Sequence, residues 1–255
     1  MIRLENVTYG YGDTPVLQDV SFRIAPGESR VIMGPSGSGK STILRLVLGL
    51  DCPWSGRIFV DDRDICALKP KELQAVRKRI GMVFQDGALF DSMTIGENVG
   101  YYQFEYSRKR EEEIEQEVLR MLQFVDLDAG IIDKLPEELS GGMRRRVAIA
   151  RALLSTRPNL MLFDEPTTGL DPQAAQNVLS LIKKLQELER ISVIIVTHQI
   201  ADAIKLADKF IIIHTGRLVF DGDLDQLRQC QTPEVQDFLS PFRNSIGEVV
   251  KKNFV

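Results

Sequence analysis

Gly34-Pro35-Ser36-Gly37-Ser38-Gly39-Lys40-Ser41-Thr42 decides the reading of this 255-residue chain. It fits G-x-x-x-x-G-K-[ST] in full, follows the apolar run Val31-Ile32-Met33, and precedes Ile43-Leu44-Arg45-Leu46-Val47-Leu48. Strand, glycine loop and helix form the context in which this pattern holds phosphates. The glycines let the backbone curl until successive N–H groups point inward as an anion nest, with the helix N-terminus behind them. In such a loop Lys40 reaches the β- and γ-phosphates, and the Ser41 hydroxyl takes a place on Mg²⁺. A mere glycine turn before a helix would need every fixed position and both flanks to match by accident. The stretch predicts a nucleoside triphosphate site.

Upstream of the loop, residues 1–33 alternate in short bursts, Ile2/Leu4, Val16/Leu17 and Phe22/Ile24, before Pro26-Gly27-Glu28. This patterning predicts an antiparallel sheet leading into the strand before the loop. Gly56 to Val60, with Asp61-Asp62, adds a strand and a tight turn. Within Tyr9-Gly10-Tyr11-Gly12, Tyr11 is the ring chosen to stack on an adenine; an ordinary core or surface tyrosine is the other reading.

Downstream, Ile80-Gly81-Met82-Val83-Phe84-Gln85 is an apolar run ending on an amide, which suits a strand buried on both faces of a parallel sheet. A loop rich in Gly, Asp and Phe follows from Asp86 to Ser92. The charge run from Arg108 to Glu113 leads into Ile114, Val118, Leu122 and Val125 at helical spacing, so its charges read as a solvated helix face. Residues 87–158 are expected to form a mostly helical insertion.

Sheet-like runs return at Leu160 to Phe163, Val193 to Val196 and Phe210 to Ile213. Between the first two, Asp171 as N-cap and Pro172 in the first turn start a helix carrying Val178, Ile182, Leu185 and Leu188. Strand, helix, strand of this length predicts right-handed crossovers in an α/β, doubly wound, mostly parallel sheet. Residues 1–230 read as one domain, a core of 1–86 and 159–230 enclosing the insertion. The remainder, 231–255, reads as an extension: a short helix from 233, a break at Pro241-Phe242-Arg243-Asn244, and an amphipathic tail around Ile246, Val249 and Val250.

A net charge of −4 provides no general basic field, so no nucleic-acid partner is expected. Cys52, Cys66 and Cys230 are far apart, form no C-x-x-C and have no His cluster, and are expected to be reduced thiols. Met1 to Glu5 lacks the apolar core of a signal peptide, and no apolar run nears the roughly 18 residues of a membrane span. A membrane role is expected to come through a partner.

In an open parallel sheet, ligands bind beyond the carboxyl ends of the strands. Four apolar runs here end in usable chemistry: the phosphate loop, Gln85, Asp164-Glu165 and His198. Asp164 suits the Mg²⁺ shell, and Glu165 is placed to polarise an attacking water. Gln85 could complete the metal shell, and His198 could brace the water or the γ-phosphate. Singly, each has a bland reading as a cap, a surface pair or a locally satisfied histidine; the order along one sheet favours the functional one. A further stretch, Leu139-Ser140-Gly141-Gly142-Met143, opens an arginine-rich helix and offers a second anion-facing terminus, which a second copy of the chain would supply with a nucleotide. A capped helix with a flexible entry is the alternative.

Together these pieces resemble the nucleotide-binding subunits of ABC transporters over nearly the whole chain. Gly34 to Thr42 matches Walker A, Gln85 the Q-loop and Leu139 to Met143 the signature. Leu160 to Glu165 matches Walker B, Gly169-Leu170-Asp171 the D-loop and His198 the H-loop. The resemblance implies the ABC ATPase fold, ATP and Mg²⁺ as ligands, and a head-to-tail dimer with each ATP between Walker A of one copy and the signature of the other. Tyr11 maps to the adenine-stacking aromatic. Met143 departs from the family's usual Gln and reads as a subfamily marker.

The run from Gly87 to Val99, with Ser-Gly-Gly-Met-Arg-Arg-Arg-Val-Ala, resembles the ATPases of MCE-type phospholipid transporters. That likeness implies a transmembrane permease, an MCE-type substrate-binding protein in the full complex, and a peripheral place on the cytoplasmic face of the inner membrane. The rivals are an ATPase of a polar-solute importer and a non-transport ABC ATPase. The second usually carries tandem cassettes, coiled coils or basic arms, which this sequence lacks.

Overall fold

The alternation of strand β1 (Ile2–Tyr11) changes phase halfway, and the backbone absorbs the change. Ile2 and Leu4 are buried, then Val7 and Tyr9, so the inward residues switch from even to odd positions. At the switch Asn6 adopts φ 48°, the register against β2 (Thr14–Ile24) shifts between Leu4 and Val7, and Asn6 Nδ2 donates to Asp19 Oδ1 at 2.8 Å. An inserted residue of this kind keeps both halves of a strand facing one core. This computed structural model describes residues 1–156, 158–207 and 209–242.

The chain divides into two units, Met1–Val76 with the described residues from Ser192 onward, and Arg77–Ile191. In the first unit, β3 (Arg30–Met33), which is fully buried, runs into the phosphate loop and then α1 (Lys40–Val47). Strands β4 (Ser55–Val60) and β5 (Arg63–Asp64) complete an antiparallel sheet of order β2-β1-β4-β5, and α2 (Pro70–Arg77) closes this stretch.

The second unit opens with β6 (Ile80–Val83), then three helices, α3 (Ile95–Tyr106), α4 (Glu111–Phe124) and α5 (Gly141–Thr156). Strand β7 (Leu160–Asp164) lies parallel to β6, and α6 (Pro172–Glu187) follows it. The charge run before α4 behaves as read: Ile114, Val118 and Leu122 are buried while Glu111 to Glu113 face solvent in its first turn. Leu188 does not: it caps α6 and is 69% exposed, because the helix ends before its stripe returns to the core. The region expected as a helical insertion, 87–158, falls within this unit, which also holds β6, β7 and α6.

Back in the first unit, β8 (Ser192–Thr197), α7 (Ile200–Leu206), β9 (Lys209–His214) and β10 (Arg217–Asp223) follow. Strand β3 is parallel to β8 and β9 on its two sides, and β10 is antiparallel to β9. All six residues of β8 are buried, as a strand covered on both faces requires. Helices α8 (Leu224–Gln229) and α9 (Pro233–Leu239) follow, and a single 3-10 turn at Ser240–Phe242 ends the described chain. The tail expected around Ile246, Val249 and Val250 lies outside the described residues.

The three cysteines are free thiols, but Cys52 and Cys66, distant in sequence, lie close enough for one to act on the other's ionisation. Although Cys66 as a residue is exposed, burial of its sulfur first, then Cys52 and Asp64, pushes its pKa up to about 12. A thiol so hard to ionise is a poor nucleophile.

Candidate functional site

Parallel register places the first unit's chemistry at one end of its sheet. Met33 pairs with Thr197, so Gly34 and His198 leave neighbouring strands at the same level. Gly34 has φ 150°, and a Cβ there would lie 2.0 Å from the Ile213 carbonyl oxygen, so no other residue fits. Gly37 (φ 77°) and Gly39 (φ 101°) curl the loop, and Gly39 serves as the N-cap of α1 without any side-chain cap. The first amides of α1 therefore rely on a partner outside the helix, which suits phosphate. Lys40 is 6% exposed, and its Nζ donates to the carbonyls of Gly34 and Pro35, each at 2.9 Å. Ser38 Oγ is buried and has no hydrogen-bond partner, a polar atom in the loop that a phosphate oxygen would satisfy. Ser41 is exposed beside it, and Thr42 is buried. Tyr11 is 51% exposed and stands edge-on to Tyr9 with centroids 5.3 Å apart, leaving ring surface available for stacking.

The second unit repeats the arrangement with acidic and amide groups. Val83 pairs with Phe163, so Gln85 and the pair Asp164-Glu165 emerge from one end of β6 and β7. Gln85 is exposed and Asp164 partly so. Glu165 is 9% exposed at φ 48°, a left-handed conformation that a non-glycine residue holds only when its surroundings impose it. Thr168 Oγ1 donates to Glu165 Oε2 at 3.0 Å. Asp171 caps α6 as expected, its Oδ1 accepting from Ala174 N at 2.9 Å.

Ser140 caps α5, its Oγ accepting from Met143 N at 3.3 Å. The two glycines also serve packing: a Cβ on Gly141 would lie 3.1 Å from Leu170 and one on Gly142 2.7 Å from Ala174. The arginines of α5 turn to this chain's own backbone. Arg144 donates to Leu139 O, Arg145 to Pro166 O and Thr168 O, Arg146 to Asp126 O, and Arg151 to Gly87 O.

Sequence reasoning missed Asn98. Its fully buried amide accepts from Phe90 N and donates to the carbonyls of Phe90, Met93 and Thr94. It thereby shapes the loop before α3, on which Phe90 is 42% exposed, 4.9 Å from the Tyr101 ring. The signal available was Thr94-Ile95-Gly96-Glu97, a capping box that the structure forms and that places Asn98 inside a first helical turn. Beside this loop lies a cleft of about 530 Å³ lined by Asp86, Ala88, Leu89, Asp91, Pro136, Glu137 and Arg144.

A buried strand feeding a glycine loop with an inward lysine, and carboxylates at a second strand end, define a phosphate-loop ATPase. The comparisons make the class specific. The model of the ABC transporter family matches residues 17–168. The intermembrane phospholipid transport system ATP-binding protein MlaF of Haemophilus influenzae is 41% identical over 94% of this chain and 90% of its own length. The methionine import ATP-binding protein MetN of Corynebacterium efficiens is 38% identical over 94% of this chain and 66% of its own length. A dimeric post-hydrolysis structure of the ATP-binding cassette MJ0796, bound to ADP and Pi, superposes with a TM-score of 0.79 at 36% identity, covering 88% of this chain and 99% of the other. The chain belongs to the ABC transporter family, has the ABC ATPase fold, and is its ATP-binding, ATP-hydrolysing subunit. No helix among the described residues is long and apolar enough to cross a membrane.

Proposed function

We propose that this ATPase drives phospholipid transport, that two copies close head to tail on ATP, and that a membrane permease is moved by that closure. The similarity to MlaF over 94% of the chain carries the lipid reading. The run from Gly87 to Val99 with Met143 after the signature glycines supports it. The dimer draws support from the dimeric cassette MJ0796. In this reading residues 1–86 and 159–230 form the core, 87–158 the helical subdomain, and 231–255 an extension. The chain sits peripherally on the cytoplasmic face of the inner membrane, with an MCE-type substrate-binding protein in the complex.

Within that reading, Gly34, Pro35, Ser36, Gly37, Ser38 and Gly39 wrap the phosphates with backbone amides, and Tyr11 stacks on the adenine. Lys40 exchanges the carbonyls of Gly34 and Pro35 for β- and γ-phosphate oxygens. Ser41, Gln85 and Asp164 offer hard oxygen donors of the kind Mg²⁺ takes, and Thr42 follows Ser41 in α1 as the last residue of the phosphate-loop motif. The ion, when bound, neutralises phosphate charge. Glu165 takes a proton from the attacking water while His198 braces it. Ser140, Gly141 and Gly142 meet the partner copy's γ-phosphate, and Asp171 lies beside them at the dimer contact. The loop carrying Leu89, Phe90 and Met93, with its cleft, receives a cytoplasmic helix of the permease.

Co-purification from membranes tests this by identifying the permease. The ATPase of the complex is then measured with phospholipid and with polar solutes. A solute-importer permease, with turnover that answers methionine and ignores phospholipid, would overturn the lipid reading. It would leave the importer alternative, which the 38% identity to MetN favours. Phe90→Asp is expected to keep ATP binding and lose the membrane complex; a variant still held by the membrane complex would remove this loop from docking.

A further inference from the structure

In the proposed dimer, one chain serves two nucleotides: Ser140 to Gly142 face the partner's ATP, and Glu165 acts on the chain's own. A short hydrogen-bonded path inside the second unit joins these groups. Arg145, in the second turn of α5, is 5% exposed. Its Nε donates to Pro166 O and its Nη2 to Thr168 O, each at 3.3 Å. Thr168 returns along the same turn, its hydroxyl donating to Glu165 Oε2 at 3.0 Å and its amide to Glu165 O at 3.3 Å. The start of α5 presses on the segment just beyond, through Gly141 against Leu170 and Gly142 against Ala174.

Each link is of a kind that transmits a shift. Burial lowers the pKa of Arg145, as does Arg144, while Asp86 opposes them, so this guanidinium is held at a cost that its two carbonyls offset. A buried donor cannot exchange them for water without loss, so the turn from Pro166 to Thr168 follows α5. Glu165 sits in a left-handed conformation that its neighbours must hold. The Thr168 hydroxyl is one of the groups that fix its carboxylate.

We propose that Arg145 and Thr168 are positioning residues that couple the two ATP sites, orienting Glu165 according to whether the signature helix is seated on the partner's nucleotide. This rests on the dimer reading and on Glu165 as the base. Neither residue touches nucleotide in this scheme; they act through the carboxylate.

The test uses the purified chain, with turnover and nucleotide affinity measured over a range of Mg²⁺·ATP. Thr168→Val, which keeps shape and removes the donor, lowers kcat about tenfold and changes ATP affinity by less than about twofold. Thr168→Ser, which keeps the donor, restores kcat to within about twofold of the parent. Arg145→Met lowers kcat and drives the Hill coefficient for ATP toward one. Adding Thr168→Val to it costs little more, because residues acting along one path do not add. If Arg145→Met fails to fold, Arg145→Lys keeps the charge but loses the fork to two carbonyls, and shows the same loss of kcat and cooperativity. Parental kcat in Thr168→Val, losses that multiply in the double variant, or an unchanged Hill coefficient at position 145 would each overturn the coupling. Glu165→Gln separates the two levels. Turnover by that variant removes the base and the reading beneath; an inert Glu165→Gln beside a fully active Thr168→Val removes only the path.

Discussion

Replacing Asn98 with alanine is expected to separate permease docking from nucleotide chemistry. The amide is fully buried and holds four contacts: Phe90 N at 2.8 Å, Phe90 O at 3.0 Å, Met93 O at 3.1 Å and Thr94 O at 3.0 Å. Thr94 O also accepts from Asn98 N at 2.9 Å and survives the change, so three groups lose a partner. At about 1 kcal/mol per hydrogen bond, and more for any group left dry, the loss is about 2–4 kcal/mol. A chain of this size loses about 2 °C per kcal/mol, so the melting temperature falls by about 4–8 °C. The loop then no longer holds Phe90 against Tyr101 and, 5.6 Å away, the Arg151 guanidinium. All these side-chain bonds end within residues 90–98, away in sequence from the phosphate loop, so ATP affinity stays within about twofold. Differential scanning fluorimetry, a fluorescent-nucleotide titration and co-purification with the membrane complex read the three consequences. Parental melting would refute the role of the amide. A lowered melting point with the membrane complex fully retained would refute the link between loop shape and docking.

Gly34→Ala is expected to weaken ATP binding by about a hundredfold, roughly 3 kcal/mol, since its Cβ collides with backbone at 2.0 Å. Gly37→Ala, with nothing within 4 Å, carries only the strain of its φ of 77°, about 1 kcal/mol, in the same titration. Burial raises the pKa of Glu28, but Ala25 N, Arg30 and Lys209 outweigh it and bring the carboxyl below its ordinary 4.5. A depressed carboxylate stabilises the fold above its unfolded pKa and ceases to as pH falls through the folded one. The parent's melting temperature therefore falls more steeply than that of Glu28→Gln on acidification below 4.5, and parallel curves would remove Glu28 from the acid response. Gly142→Ala is expected to cost about 1–3 kcal/mol against Ala174, and adding Ala174→Gly should restore the melting point without restoring turnover. Restored turnover would make packing the whole reason for that glycine.

What was legible in the sequence was what the local backbone demands. Gly34, Gly37 and Gly39 announce a loop that only such a backbone can trace, and Asp171-Pro172 announces a helix start that the structure forms. Strand ends were legible too, because an apolar run stopping at Gln85, Glu165 or His198 marks its own end. Less visible were elements whose side-chain pattern is faint or interrupted. Strand β10 is half-exposed along most of its length and, among the described residues, pairs with β9 alone, so its alternation is faint. The bulge at Asn6 shows only as a change of phase. Asn98 reads as one more polar residue in a helix until the three carbonyls that it serves are brought to it.

The arginines of α5 show why this limit falls where it does. A sequence displays charge, and four guanidiniums behind a serine and two glycines suggest attraction to an anion. The structure gives every one of them a carbonyl of its own chain, at distances from 2.6 to 3.3 Å. A carbonyl belongs to every residue alike, so no side-chain pattern can announce which one a guanidinium will find. The anion-facing reading of the signature therefore rests on less than its charge suggests, on the Ser140 hydroxyl and the first amides of α5. Those amides are few and one of them already bonds Ser140 at 3.3 Å, so a γ-phosphate arriving there would compete with the cap. Competition of that kind would make the helix start responsive to nucleotide, and in the proposed coupling the Arg145 contacts behind it would carry that response to Glu165.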